Sequence, residues 1–340
     1  MRARFLASFG AWAIVLGVPV LVAAQAQTAA LAKTTAARKA PERTWTQPRT
    51  PDGQPDLQGY WTSLSFTPME RAAKYGMREF LTDEETAAVY KAGVQESYEF
   101  TFANSAETPV YDATTYALDA WQNGVKPNRR TSLVVDPPDG RIPPLTAEAK
   151  ARARPRAQGD GLGFDGPEAL GLGVRCLTFG GPPILPGSYD NNTHIVQGPG
   201  YVMLEYEWGS TVRVVPLDGR PHLSPNIRPW QGDSRGRWEG NTLVIETTNF
   251  RPEATYRNAN PKTLRLTERL TRLDADTIEY KFTVDDPTTW TKPWSAIVPM
   301  SQVQGPMFEY ACHEGNNGLV IILEGSRKEE KAAALKKESR

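Results

Sequence analysis

Reactive side chains are scarce in this chain: 340 residues include three histidines and two cysteines. No His-Glu-x-x-His, Cys-x-x-Cys-His or Walker loop occurs. Their absence removes the zincin metal site, covalently attached haem and the phosphate-cradling nucleotide loop. An excess of charge is missing too, with 39 Lys and Arg against 39 Asp and Glu. Without a basic stripe to neutralise a phosphate backbone, no nucleic-acid partner is expected. After residue 24 no apolar run approaches the ~20 residues that a bilayer-crossing helix needs.

What the chain does have begins with Arg2 and Arg4 ahead of the nearly uncharged, Ala-, Val- and Leu-rich stretch 5–24. That is the order of a secretory signal, and small residues allow cleavage equally after Ala24 or after Ala26. The rival is an uncleaved anchor, but Gly10, Gly17 and Pro19 weaken a run already short for a span. Residues 1–26 are therefore expected to be a cleaved signal, with the remainder periplasmic or secreted and holding no stable membrane span. In an oxidising compartment an even pair of cysteines more often bonds than stays reduced. Cys176 and Cys312 are expected to form a disulfide, two buried thiols being the alternative.

Residues 27–55 lack periodicity and read as a disordered linker. Residues 56–325 read as a single β-rich domain and 326–340 as a charged tail, helical at most. The 28 Gly and 28 Pro point to many turns and short elements. Thr82 and Glu85 form a capping box, which predicts a helix from Thr82 to about Glu96. An aromatic strand at Tyr60 and Trp61, a strand at 131–136, and runs at 201–207, 212–216, 242–248, 264–273, 277–284 and 294–300 alternate with turn clusters. Imperfect alternation within 264–273 predicts a bulge. The expected fold is mainly β, an antiparallel β-barrel or curved β-sandwich with one clear helix in its N-terminal half and long loops.

Several phrases recur or stand out: Asp136-Pro-Pro-Asp-Gly-Arg-Ile-Pro143, Pro216-Leu-Asp-Gly-Arg-Pro-His222 and Gly232-Asp-Ser-Arg-Gly-Arg-Trp-Glu-Gly240. Asp286-Pro-Thr-Thr-Trp-Thr-Lys-Pro-Trp294 and Glu309-Tyr-Ala-Cys-His-Glu-Gly-Asn316 complete the set. Together they resemble a widespread, uncharacterised family of exported bacterial proteins. The resemblance covers most of the chain after about residue 50; it implies export and carries no activity with it. The Trp238-Glu-Gly-Asn-Thr-Leu243 opening of a strand also resembles lipocalin-like barrels, a generic hairpin likeness.

Histidine is the side chain best suited to proton transfer near neutral pH. His222 follows an Asp-Gly-Arg turn in a loop-rich stretch, and His313 follows Cys312 directly; His194 lies in a strand-like run where it faces solvent or a neighbour. His222 and His313 are the candidate acid/base residues, with Asp233 and Glu314 as orienting carboxylates. Residues 228–239 read as a loop in which Trp230, Trp238 and Arg237, with Arg213, form an aromatic and cationic binding rim. The plain reading of that loop is bracing by ion pairs and packed tryptophans, just as Trp290, Pro293 and Trp294 plug a barrel end. His222, His313 and Asp233 or Glu314 lack any metal-ligand spacing, so no metal is expected, and no organic cofactor. Gly161-Leu-Gly-Phe-Asp-Gly166 matches Gly-x-Gly-x-x-Gly without the flanking strand and helix, hence a loop. Two functions follow as expectations. One is a cofactor-independent lyase, isomerase or hydrolase acting on a small cyclic or aromatic molecule; the other is a non-catalytic small-molecule-binding or envelope protein.

Overall fold

The computed structural model describes residues 45–103, 124–152, 164–178, 181–187 and 191–338. The expected signal, the linker up to residue 44 and residues 161–163 of the glycine-rich match lie outside the described residues. From Trp45 onward the stretch expected to be linker already belongs to the domain. Arg49 bridges Pro55, and the Asp56 N–H donates to the Pro48 carbonyl at 2.8 Å.

Ten strands make one antiparallel sheet. They are β1 (Gly59–Thr62), β2 (Val134–Asp136), β3 (Asn192–Gly198), β4 (Tyr201–Tyr206), β5 (Thr211–Pro216), β6 (Asp233–Glu239), β7 (Thr242–Thr248), β8 (Arg265–Asp274), β9 (Thr277–Asp285) and β10 (Trp294–Val303). The order is β5-β4-β3-β1-β10-β9-β8-β7-β6, and β2 pairs with β10 beside β1. Alternation explains the inner face: Ile278, Tyr280, Phe282 and Val284 of β9 are buried, as are Ala296, Val298 and Met300 opposite on β10. A register shift between Arg272 and Asp274 meets the expected irregularity at the far end of β8.

The sheet curls until its end strands, β5 and β6, lie side by side without pairing. Gly236 makes this approach possible, because a Cβ there would sit 2.8 Å from Val215 and 2.6 Å from Leu217. The result is a barrel-like curl of a sheet that hydrogen bonds do not close, with side chains meeting across the seam. Its core holds an aromatic run in which Phe282 meets Trp294 edge-on at 5.7 Å and Trp294 meets Trp290 at 5.9 Å. Trp290 and Trp294 are thus core residues, as the plain reading had them.

Three helices are described, α1 (Asp83–Ala103), α2 (Ala147–Arg152) and α3 (Asn317–Glu338). The capping box is formed as expected: Glu85 N–H donates to Thr82 Oγ1 at 3.2 Å, and Thr82 N–H to Glu85 Oε2 at 2.9 Å. The charged tail expected from Ser326 is the second half of α3, and Ser326 itself is fully buried. Residues 228–239 were expected to be loop throughout; the structure corrects this, since Asp233–Glu239 is strand β6. Its inward positions are Ser234, Gly236 and Trp238, so two small residues hid the alternation behind the outward charges. Cys176 and Cys312 form a disulfide, with Cα atoms 5.8 Å apart. Among the described residues no helix is long and apolar enough to cross a membrane.

The Asp-Pro-Thr-Thr-Trp phrase is a clasp over one end of β8 and β9. The buried Asp286 carboxylate accepts from Asn260 N–H at 2.7 Å and from the hydroxyls of Thr263, Thr288 and Thr289 at 2.7, 2.9 and 2.5 Å. Burial pushes this carboxyl up, but the hydrogen bonds from Thr289, Thr263, Asn260 and Thr288 together hold it below its ordinary value. A depressed folded-state pKa means stability that is present above the unfolded pKa and lost as pH falls through the folded one. Urea unfolding of the wild type and Asp286→Asn should therefore differ most at neutral pH and converge in acid. A stability gap that stays constant from pH 7 to pH 2 would show that the carboxylate is not the linked group.

Candidate functional site

A charged network lies inside the barrel. Arg213 of β5 is in phase with inward Val215, and Glu268 of β8 with inward Leu266 and Leu270. The guanidinium makes two bonds to the Glu268 carboxylate, at 3.1 and 2.5 Å, and further bonds to Ser234 Oγ, Thr247 Oγ1 and Tyr206 Oη. Arg213 is 4% exposed and Glu268 0%. Burial alone would lower the Arg213 pKa, yet the Glu268 charge and Tyr206 raise it above its ordinary value, so the cation persists. Tyr280 Oη donates to Glu268 at 2.8 Å and accepts the Ile184 N–H at 3.0 Å. Desolvation raises the Tyr206 and Tyr280 hydroxyls, which remain neutral phenols.

Above this network the barrel opens into a cavity of about 340 Å³. It stands where β1 and β4 end and β3 and β5 begin, so Ser63, Tyr206, Asn192, Thr193 and Thr211 line one side. Residues 181–185 and 254–257 form the other walls, with Leu172 and Thr178 from the disulfide-bearing segment. The two walls are joined beneath the floor: Tyr206 reaches Arg213, and the Ile184 N–H reaches Glu268 through Tyr280. Tyr206, Trp208 and Tyr256 supply aromatic faces, and Ser63, Asn192, Thr193 and Thr211 supply hydroxyl and amide groups. Among the described lining residues none is His, Asp or Glu, and Arg257 alone is charged.

The residues singled out in the sequence fall into separate places. His222 and Asp233 do meet, with His222 Nδ1 2.7 Å from Asp233 Oδ2, and Arg235 holds the other carboxylate oxygen at 2.6 Å. The Leu223 N–H also donates to Asp233 at 2.9 Å, so this carboxylate anchors the loop after β5. Asp233 follows the opposite phase from inward Ser234 on β6, which puts the pair on the outer side of the barrel wall from Arg213. His222 is not among the cavity-lining residues. His313 and Glu314 are exposed on the turn before α3, and no group of three or more His, Cys, Asp or Glu among the described residues is placed to hold a metal. His194 stacks on Tyr60 at 4.2 Å and meets Glu205 at 3.1 Å.

Of the expected binding rim, Arg237 pairs with Glu239 and Glu246 on the outer face, and Trp230 lies under the Arg251 guanidinium at 4.1 Å. Trp238 packs against the core. The lining residues Tyr206, Trp208, Tyr256 and Arg257 were missed, and so was Glu268 below them. Glu268 had a readable signal, a lone acid in the apolar phase Leu264, Leu266, Leu270, matched by a lone base, Arg213, in phase with Val215. Comparison of the chain with protein-family models, with curated proteins and with solved structures gave no match.

Proposed function

We propose that this protein binds a small, partly apolar molecule in the cavity at the barrel mouth, and that it does so outside the cytoplasm, as the exported family it resembles implies. The observation that carries the reading is the cavity itself. About 340 Å³ lies within the range of small-molecule sites, and its lining is largely apolar with a few converging hydroxyl and amide groups. Binding is favoured over acid–base catalysis because the described lining offers no histidine or carboxylate, while His222 and Asp233 stand on the other side of the wall. The rigid floor supports the same reading, since Arg213, Glu268 and the two tyrosines fix both walls before any ligand arrives.

The test uses the neutral fluorophore N-phenyl-1-naphthylamine with the wild type and Ala254→Trp, a substitution that places an indole in the cavity wall. The wild type is expected to bind it saturably, and Ala254→Trp to weaken binding at least about tenfold, a loss of about 1.4 kcal/mol, with an unchanged melting temperature. Absence of saturable binding by the wild type, or equal binding by the variant, overturns the proposal.

A further inference from the structure

We infer that the molecule held in the mouth cavity is an acid: a ring-bearing compound with a carboxylate or similar oxyanion, gripped by Arg257. This rests on the binding reading above and adds the chemical class of the ligand.

Three observations point the same way. Arg257 is the one charged residue among the described lining residues. Its backbone is in the left-handed region, at φ 50 and ψ 35, which an L-residue other than glycine adopts at a cost of about 1–2 kcal/mol. Strain of this kind collects where a side chain must be aimed. The third observation is how the guanidinium is used. Its Nε donates to the Tyr256 hydroxyl at 3.0 Å, and its carbon sits 5.7 Å from the Tyr256 ring centre. Tyr256 is itself fixed from behind by Trp294 and Phe282, at 6.0 and 6.5 Å. One edge of the guanidinium is thereby oriented, and its two terminal nitrogens meet no carboxylate among the described residues.

The neighbouring arginines contrast with this. Arg213 is committed to Glu268, Arg251 pairs with Glu253, and Arg228 binds the carbonyls of Phe250 and Pro261. A planar fork of N–H donors, held at the rim and meeting no acidic partner among the described residues, matches the geometry of a carboxylate. The faces of Tyr206, Trp208 and Tyr256 suit a flat ring beneath it.

Two probes with the same aromatic frame separate charge from shape: neutral N-phenyl-1-naphthylamine and anionic 1-anilinonaphthalene-8-sulfonate. Titrated against the wild type, the anion is expected to bind about tenfold more tightly, the scale of one charge-assisted hydrogen-bonded contact. In Arg257→Gln the preference should vanish, the ratio of anionic to neutral affinity falling about tenfold. The inference is overturned if the wild type shows no preference, or if Arg257→Gln keeps it. In both cases a neutral probe that still responds to Ala254→Trp leaves the cavity as a binding site. If Ala254→Trp affects neither probe, the binding reading fails and the ligand class falls with it.

Discussion

Glu268→Ala is expected to lower the free energy of unfolding by about 3–5 kcal/mol, the range for removing one partner of a buried ion pair. The substitution leaves Arg213, only 4% exposed, without its counter-charge. Ser234, Thr247 and Tyr206 still accept its N–H groups, but they are neutral and cannot replace a carboxylate bound at two oxygens. Tyr280 also loses the acceptor for its hydroxyl. The paired replacement Arg213→Met with Glu268→Leu should be milder than Glu268→Ala alone, because both charges leave together. It still takes Arg213 from the Tyr206 hydroxyl and the acceptor from the Tyr280 O–H, which keeps only the Ile184 N–H; each unsatisfied group costs about 1–3 kcal/mol. Urea denaturation of the three proteins measures the order. A loss below about 1 kcal/mol for Glu268→Ala, the level of an exposed pair, would mean that the site reaches water. The network also ties Tyr206 and Ile184, so the single variant should weaken probe binding in the cavity as well as stability.

The strands of the second half were legible because short β-rich runs are set off by turn clusters: β7 spans the expected 242–248 without change, and β8, β9 and β10 differ at their ends only. The capping box marked the start of α1 for the same local reason. Strand β6 was not legible, since Ser234 and Gly236 fill its inward positions against Arg213 and the Val215–Leu217 edge, where no large apolar side chain fits. Proximity of His222 and Asp233 was readable from one short loop. The cavity was not: Ser63, Leu172, Ile184, Asn192, Tyr206 and Arg257 come from separate strand ends and loops, and only the curl of the sheet brings them together. Periodicity reports which face of a strand is buried. It is silent on where the ends of strands distant in sequence meet.

The second large effect belongs to the disulfide. Replacing both Cys176 and Cys312 with alanine is expected to destabilise the protein by up to about 5 kcal/mol, the chain-entropy value for so long a loop. The bridge spans 136 positions, and that loop contains β3 to β10, nearly the whole sheet. Its removal enlarges the unfolded ensemble by freeing the middle of the chain from its end, while leaving the sheet's own hydrogen bonds intact. Wild-type protein treated with dithiothreitol should reproduce the loss seen in the double variant. A second consequence separates this from a purely unfolded-state effect. Leu172 and Thr178, on either side of Cys176, line the cavity, and the bridge holds their segment to the stretch before α3, where Asn316 Nδ2 adds one bond to the Val174 carbonyl at 3.0 Å. The bridge ties this wall to the stretch before α3, so without it affinity for N-phenyl-1-naphthylamine should fall under conditions where the sheet is still folded. Lost stability with unchanged affinity would assign the bridge to the unfolded chain alone. Lost affinity in a folded protein would make it part of the binding site.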